Sequence, residues 1–128
     1  MEIFSKFVLE AARRLPNLRE PHPCARLHGH SFNVEVHLQG PVDPVFGWVV
    51  DFAEVQKAWD KVHQQLDHRY LNEVPGLENP TSEHLAKWIW QVLQADLPTL
   101  SKIIVMETST SGCVYCGVDQ TASGQTVE

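Results

Sequence analysis

His28-Gly29-His30 sets two imidazoles a strand repeat apart. In extended chain, residues i and i+2 point to the same side, so the pair can converge on one metal ion. Zinc accepts neutral imidazole nitrogens, and a catalytic zinc keeps three protein ligands and an open position. Two strand histidines hydrogen-bonded in a polar pocket would give the same spacing. Gly29 between them leaves room and permits unusual backbone angles. Cys24 lies four residues earlier. A thiolate beside histidines or a metal is a nucleophile or a base, whereas a lone cysteine is otherwise a small buried hydrophobe. In Asp67-His68 a carboxylate can fix the tautomer of an imidazole and raise its basicity. A histidine near a helix C-terminus is equally a plain partner of the helix dipole. Glu107 shares a strand side with Ile103 and Val105, where a carboxylate is costly unless paired. It can accept two parallel N–H bonds from a guanidine-like edge, which arginine, a pterin and a guanine all offer. Otherwise it marks a strand end emerging into water. Cys113 and Cys116 form C-x-x-C without a second pair or a βαβ context, and read as structural.

The elements that must position these residues follow from period. Ile3, Phe7, Leu9 and Ala11 share one side of an extended segment, which predicts a strand over 2–12. Three prolines make 14–27 a loop. Phe32, Val34, Val36 and Leu38 alternate with Ser31, Asn33, Glu35 and His37, which predicts a strand over 28–39. After a turn at 40–44, the apolar run 46–50 reads as a short returning strand. Phe52, Val55, Trp59, Val62 and Leu66 then recur at helical spacing behind the Asp51/Glu54 cap signal, giving a helix over 52–66. A loop over 67–80 precedes a second helix. It is capped at Thr81-Ser82, buries Leu85, Trp88, Ile89 and Val92, and ends before Pro98. Strands follow at 101–109 and 113–118, and a polar, aperiodic tail at 119–128 is expected to be disordered.

Strands and helices are thus segregated, which predicts an α+β domain with helices on one face of an antiparallel sheet and the other face solvated or covered in an oligomer. The 128 residues suit one domain, here 1–118 plus the tail, and 43% apolar with 20% charged residues excludes a wholly disordered chain. A net charge of −6 without a basic run argues against nucleic acid as a partner. No apolar run is long enough to cross a bilayer and no signal peptide is visible, so a cytoplasmic location without membrane association is expected.

In combination these residues resemble the 6-pyruvoyltetrahydropterin synthase family, most nearly its bacterial 6-carboxy-5,6,7,8-tetrahydropterin synthase branch of queuosine biosynthesis. The resemblance rests on Leu-Glu-Ala-Ala-Arg-Arg-Leu-Pro (9–16), Cys-Ala-Arg-Leu-His-Gly-His-Ser-Phe (24–32), Gly-Trp-Val-Val-Asp-Phe-Ala-Glu (47–54), Leu-Asp-His-Arg-Tyr-Leu-Asn (66–72), Pro-Gly-Leu-Glu-Asn-Pro-Thr-Ser-Glu (75–83) and Glu-Thr-Ser-Thr-Ser-Gly-Cys (107–113). It implies a tunnelling fold, a four-stranded antiparallel sheet carrying two helices, assembled into barrels and a homohexamer with sites between subunits. It also implies a lyase that converts 7,8-dihydroneopterin triphosphate to 6-carboxytetrahydropterin, acetaldehyde and triphosphate. By position, His28 and His30 would hold Zn2+, Cys24 would abstract a proton, Asp67 and His68 would relay it, and Glu107 would anchor the pterin. A 6-pyruvoyl-type activity, or a metal-poor pterin- or purine-binding homologue, is the alternative.

One position departs from the family pattern. Where the family carries its third histidine ligand, this chain has Arg13. Arginine stays protonated and has no lone pair for a metal. Either zinc is retained through a substitute such as Cys24 or His22, or the Arg13 guanidinium stands in for the ion and binds substrate.

Overall fold

The computed structural model describes residues 1–120, and the expected tail from 121 onward lies outside them. Two long strands, β1 (Glu2–Arg13) and β2 (His28–Gln39), are followed by helices α1 (Phe52–Leu66) and α2 (Ser82–Leu93) and by strands β3 (Leu100–Met106) and β4 (Gly112–Tyr115). The sheet order is β1-β2-β3-β4 and every neighbouring pair is antiparallel.

Alternation decides which face each strand buries. Leu9 and Ala11 of β1, Phe32 to Leu38 of β2 at every second residue, and Ile103 and Val105 of β3 point to the helices. Helix α1 contributes Val55, Trp59, Val62 and Leu66, and α2 contributes Leu85, Ala86, Ile89 and Leu93, to the same cluster. Trp59 stacks on Phe7 with ring centroids 4.6 Å apart. Trp88 and Val92, expected in that face, pack only partly buried against its rim. The opposite sheet face exposes Phe4, Val8 and Val114.

Local chemistry sets the boundaries. The Asp51 side chain accepts from the Ala53 N–H at 2.9 Å and starts α1. Asp51→Ala is therefore expected to cost about 1 kcal/mol in urea unfolding. Thr81 caps α2 by accepting from the His84 N–H. The run 46–50 is not a strand, contrary to the sequence expectation. Asp43 captures the N–H groups of Val45 and Phe46 at 2.8 and 2.9 Å, and Gly47 turns with φ +80°, so the segment closes on itself. Strand β3 ends at Met106, earlier than expected, because Glu107 already pairs with Ser111 across the turn. Strand β4 ends at Tyr115 instead of 118. Gly112 is required there, since an added Cβ would lie 2.5 Å from the Val105 carbonyl oxygen. Asp119, assigned to the tail from sequence, is paired with Lys87.

Candidate functional site

The register of β1 on β2 sets Arg13 opposite His28 and Ala11 opposite His30. All four lie where the core face runs out towards the end of the two strands. Arg13 is 1% exposed, a degree of burial that is costly for a guanidinium without partners. Its partners are specific. Nη2 pairs with Glu107 Oε1, and Nη1 donates to the Pro80 carbonyl at 2.9 Å. The group lies 5.0 Å from the Phe32 ring centroid. Ser82 Oγ donates to the same Glu107 oxygen at 3.2 Å. Glu107 is thus an acid at the end of a strand, one third exposed and already holding an internal guanidinium. Burial pulls the Arg13 pKa down, while the nearby Cys24 and Glu83 oppose that shift.

The two histidines meet edge to face, with ring centroids 4.7 Å apart. His28 Nδ1 lies 2.7 Å from the Arg26 carbonyl, an acceptor only, so Nδ1 carries the proton and Nε2 of the neutral ring carries the lone pair. The buried Nε2 atoms of His28 and His30 and the Nε of Arg13 have no hydrogen-bond partner among the described residues. Burial, then the charges of Arg13 and His28, hold the His30 pKa below its ordinary value. Gly29 does not adopt a positive φ, and a Cβ there would meet nothing within 4 Å. Its expected conformational role is therefore absent.

Cys24 sits in a short 3-10 turn, Pro23–Ala25, tied to the end of β1 by the Leu15 N–H bonding its carbonyl at 2.9 Å. It is a free, half-buried thiol. His22 Nδ1 accepts from the Cys24 N–H at 3.1 Å, so that nitrogen is used in capping the turn. The cysteines of the C-x-x-C motif are also free, and burial raises the Cys113 pKa, as suits an inert thiol.

Asp67 and His68 lie across the free edge of β1. The Asp67 Oδ1 accepts from the Glu10 N–H at 3.0 Å, and Oδ2 accepts from His68 Nδ1 at 2.5 Å. His68 itself adopts φ +57°, held by its own N–H bonding the Glu10 carbonyl at 2.6 Å, with its side chain 79% exposed. Burial pushes the Asp67 pKa up, but the Glu10 N–H and the His68 and His63 rings outweigh it and hold it below the usual carboxylate value. The contribution of Asp67 to stability is therefore present above the unfolded carboxylate pKa and is lost as pH falls through the lower folded one. Asp67→Asn should remove that part of the acid dependence below about pH 4, read as urea midpoints across the acid range.

His30, Gly29, Ser31, Glu10, His68 and Tyr70 line an open cleft of about 470 Å3 beside this edge. Two clusters thus emerge: Arg13, Glu107 and the histidine pair on the helix side, and Asp67-His68 on the edge, where the cleft lined by His68 also borders His30. Among the described residues no hydrogen bond or ion pair joins the two clusters. Sequence reasoning missed the partners that seat Arg13 and Glu107, namely the Pro80 carbonyl, the Phe32 ring and the Ser82 hydroxyl. It also missed Asn72, whose amide bonds both the N–H and the carbonyl of Arg14 at 2.9 and 2.7 Å and fixes the end of β1. The Asn-Pro-Thr-Ser run and Leu-Asn were visible as motifs, but their partners are long-range.

The donor set does not suit a three-ligand zinc centre. The two orphaned Nε2 atoms are of the right type. Arg13, opposite His28, is a buried cation with no lone pair, and no group of three His, Cys, Asp or Glu able to hold a metal occurs among the described residues.

The sequence profile of 6-pyruvoyl tetrahydropterin synthase matches residues 2–117. The 6-carboxy-5,6,7,8-tetrahydropterin synthase of Synechocystis sp. is 40% identical over 119 residues, covering 88% of this chain and 91% of the relative. The human 6-pyruvoyl tetrahydrobiopterin synthase is 38% identical over 96 residues, covering 70% and 66%. The solved 6-pyruvoyl tetrahydropterin synthase of Caenorhabditis elegans superposes with a TM-score of 0.83 at 27% identity, covering 91% of this chain and 95% of that one. The tunnelling-fold expectation for the protomer therefore holds. No helix of the described residues is long and apolar enough to cross a membrane.

Proposed function

The chain belongs to the 6-pyruvoyl tetrahydropterin synthase family, and from that premise we propose that it is a lyase acting on 7,8-dihydroneopterin triphosphate. With water it would yield 6-carboxy-5,6,7,8-tetrahydropterin, acetaldehyde and triphosphate, a step of 7-deazaguanine (queuosine) biosynthesis in the cytoplasm. The observation that carries this reading is a free thiol on the turn bonded to the chain just past β1, beside a cluster that holds an acid and two buried, unpartnered imidazole nitrogens, in a chain whose Asp67-His68 pair is already hydrogen-bonded.

The roles follow from the chemistry of each group. Glu107 keeps Oε2 for the amino and ring N–H edge of the pterin, since Oε1 is held by Arg13 and Ser82. Cys24 takes a proton from the substrate side chain as a thiolate. Because Asp67 is a carboxylate, His68 Nδ1 is its donor, and Nε2 is left to exchange the proton with solvent or substrate. The exposed His68 reaches outward from its own protomer, and the bare sheet face has room for a neighbour. In the homohexamer we propose, His68 of one subunit completes the site around Cys24 of another.

A second reading, formation of 6-pyruvoyltetrahydropterin, is favoured by the similarity to the human enzyme. Incubation of the purified chain with 7,8-dihydroneopterin triphosphate separates the two. Acetaldehyde together with the carboxylated pterin supports the first reading. A pyruvoyl product without acetaldehyde supports the second, and no turnover by folded protein refutes both.

A further inference from the structure

We propose that Arg13 makes this a metal-free site, in which the Arg13 Nε–H and the unpartnered Nε2 atoms of His28 and His30 hold the vicinal diol of a pterin side chain by hydrogen bonds. This rests on the pterin reading above. Among the described residues three buried polar atoms at the adjoining ends of β1 and β2 lack partners, while every other nitrogen of Arg13 is engaged: Nη1 with Pro80 and Nη2 with Glu107. An orphaned buried donor or acceptor costs enough that a ligand able to satisfy it is expected.

The donor and acceptor pattern selects the ligand. Arg13 Nε offers one N–H. His28 Nε2 offers a lone pair, because Nδ1 is committed to the Arg26 carbonyl. A metal dication would gain the histidine lone pairs but sit against a fixed guanidinium. A bare anion would accept from Arg13 but face the lone pair of His28. A hydroxyl does both jobs, accepting from the arginine and donating to the histidine. Two adjacent hydroxyls can donate to both imidazoles while one oxygen accepts from Arg13. The internal pair with Glu107 keeps the guanidinium in place.

Two measurements decide it. Elemental analysis of the unaltered chain, purified without chelator and with zinc in the medium, should find fewer than about one zinc per ten chains, and Arg13→His should raise this to near one per chain. Near-stoichiometric zinc in the unaltered chain overturns the proposal. In the second, binding to EDTA-treated protein is followed by fluorescence. The chain should prefer 7,8-dihydroneopterin to 6-methyl-7,8-dihydropterin by about tenfold, and Arg13→Lys, which keeps the charge but not the Nε–H, should lose that preference while still binding the methyl compound. Equal binding of both by the unaltered chain, or a preference untouched by Arg13→Lys, refutes the diol site alone. Failure of both pterins to bind refutes the pterin reading itself.

Discussion

Glu107→Ala should destabilise the protein by about 3 kcal/mol, the lower end of the range for stranding one member of a buried ion pair. The reason is the asymmetry of exposure. Arg13 is 1% exposed, and Glu107 is its one ion-pair partner among the described residues, whereas Glu107 is 33% exposed and can turn to water. Arg13→Met should therefore cost less than Glu107→Ala. The double variant Arg13→Met/Glu107→Leu should recover most of the loss, because apolar groups of similar size can replace a buried pair. Urea unfolding of the four proteins measures these differences. A Glu107→Ala variant as stable as its parent would show that the pair does not seat the arginine. Pterin affinity, measured on folded Glu107→Ala protein, should fall as well, since the edge of the heterocycle loses its acceptor.

Cys24→Ala should lower turnover by about 10²–10⁴-fold, the range for removing a positioned acid–base group, and leave pterin affinity nearly unchanged. The thiol is half-buried and the hydrogen bonds described for Cys24 are made by its backbone, which alanine keeps, so a large stability loss is not expected to confuse the result. Equal loss of binding in Cys24→Ala and Glu107→Ala would contradict the division of roles. The same variant tests whether the site is shared. Mixed with His68→Ala and allowed to reassemble, it should regain part of the activity, because some sites then pair an intact Cys24 with an intact His68. No recovery in verified mixed oligomers would place both groups in one protomer's site.

Most of the fold was legible because its strands alternate and its helices repeat strictly. Leu9 and Ala11, Phe32 to Leu38, and Val55 to Leu66 are buried where period required. The failures share a cause. At 46–50 the apolar residues suggested a strand, but the Asp43 carboxylate had already claimed the N–H groups a strand would need. At Glu107 the alternating pattern ran past the point where the Ser111 carbonyl ends the ladder. Capture of a backbone group, by the Asp43 side chain in one case and by the Ser111 carbonyl of the turn in the other, is a pairing event, and hydropathy does not record it. The candidate residues were legible as a set of types, Arg13 among them. That Arg13 and Glu107 find each other was not, because the direct contact joins positions near the two ends of the chain, with a Pro80 carbonyl and a Ser82 hydroxyl holding one partner each.

A crystal structure of the Cys24→Ala variant with bound 7,8-dihydroneopterin bears most directly on the account. The expected result sets the amino edge of the pterin at about 3 Å from the Glu107 carboxylate, with the side-chain hydroxyls between Arg13, His28 and His30. A pterin bound elsewhere, with the Arg13–Glu107 pair closed over an empty strand end, would contradict it.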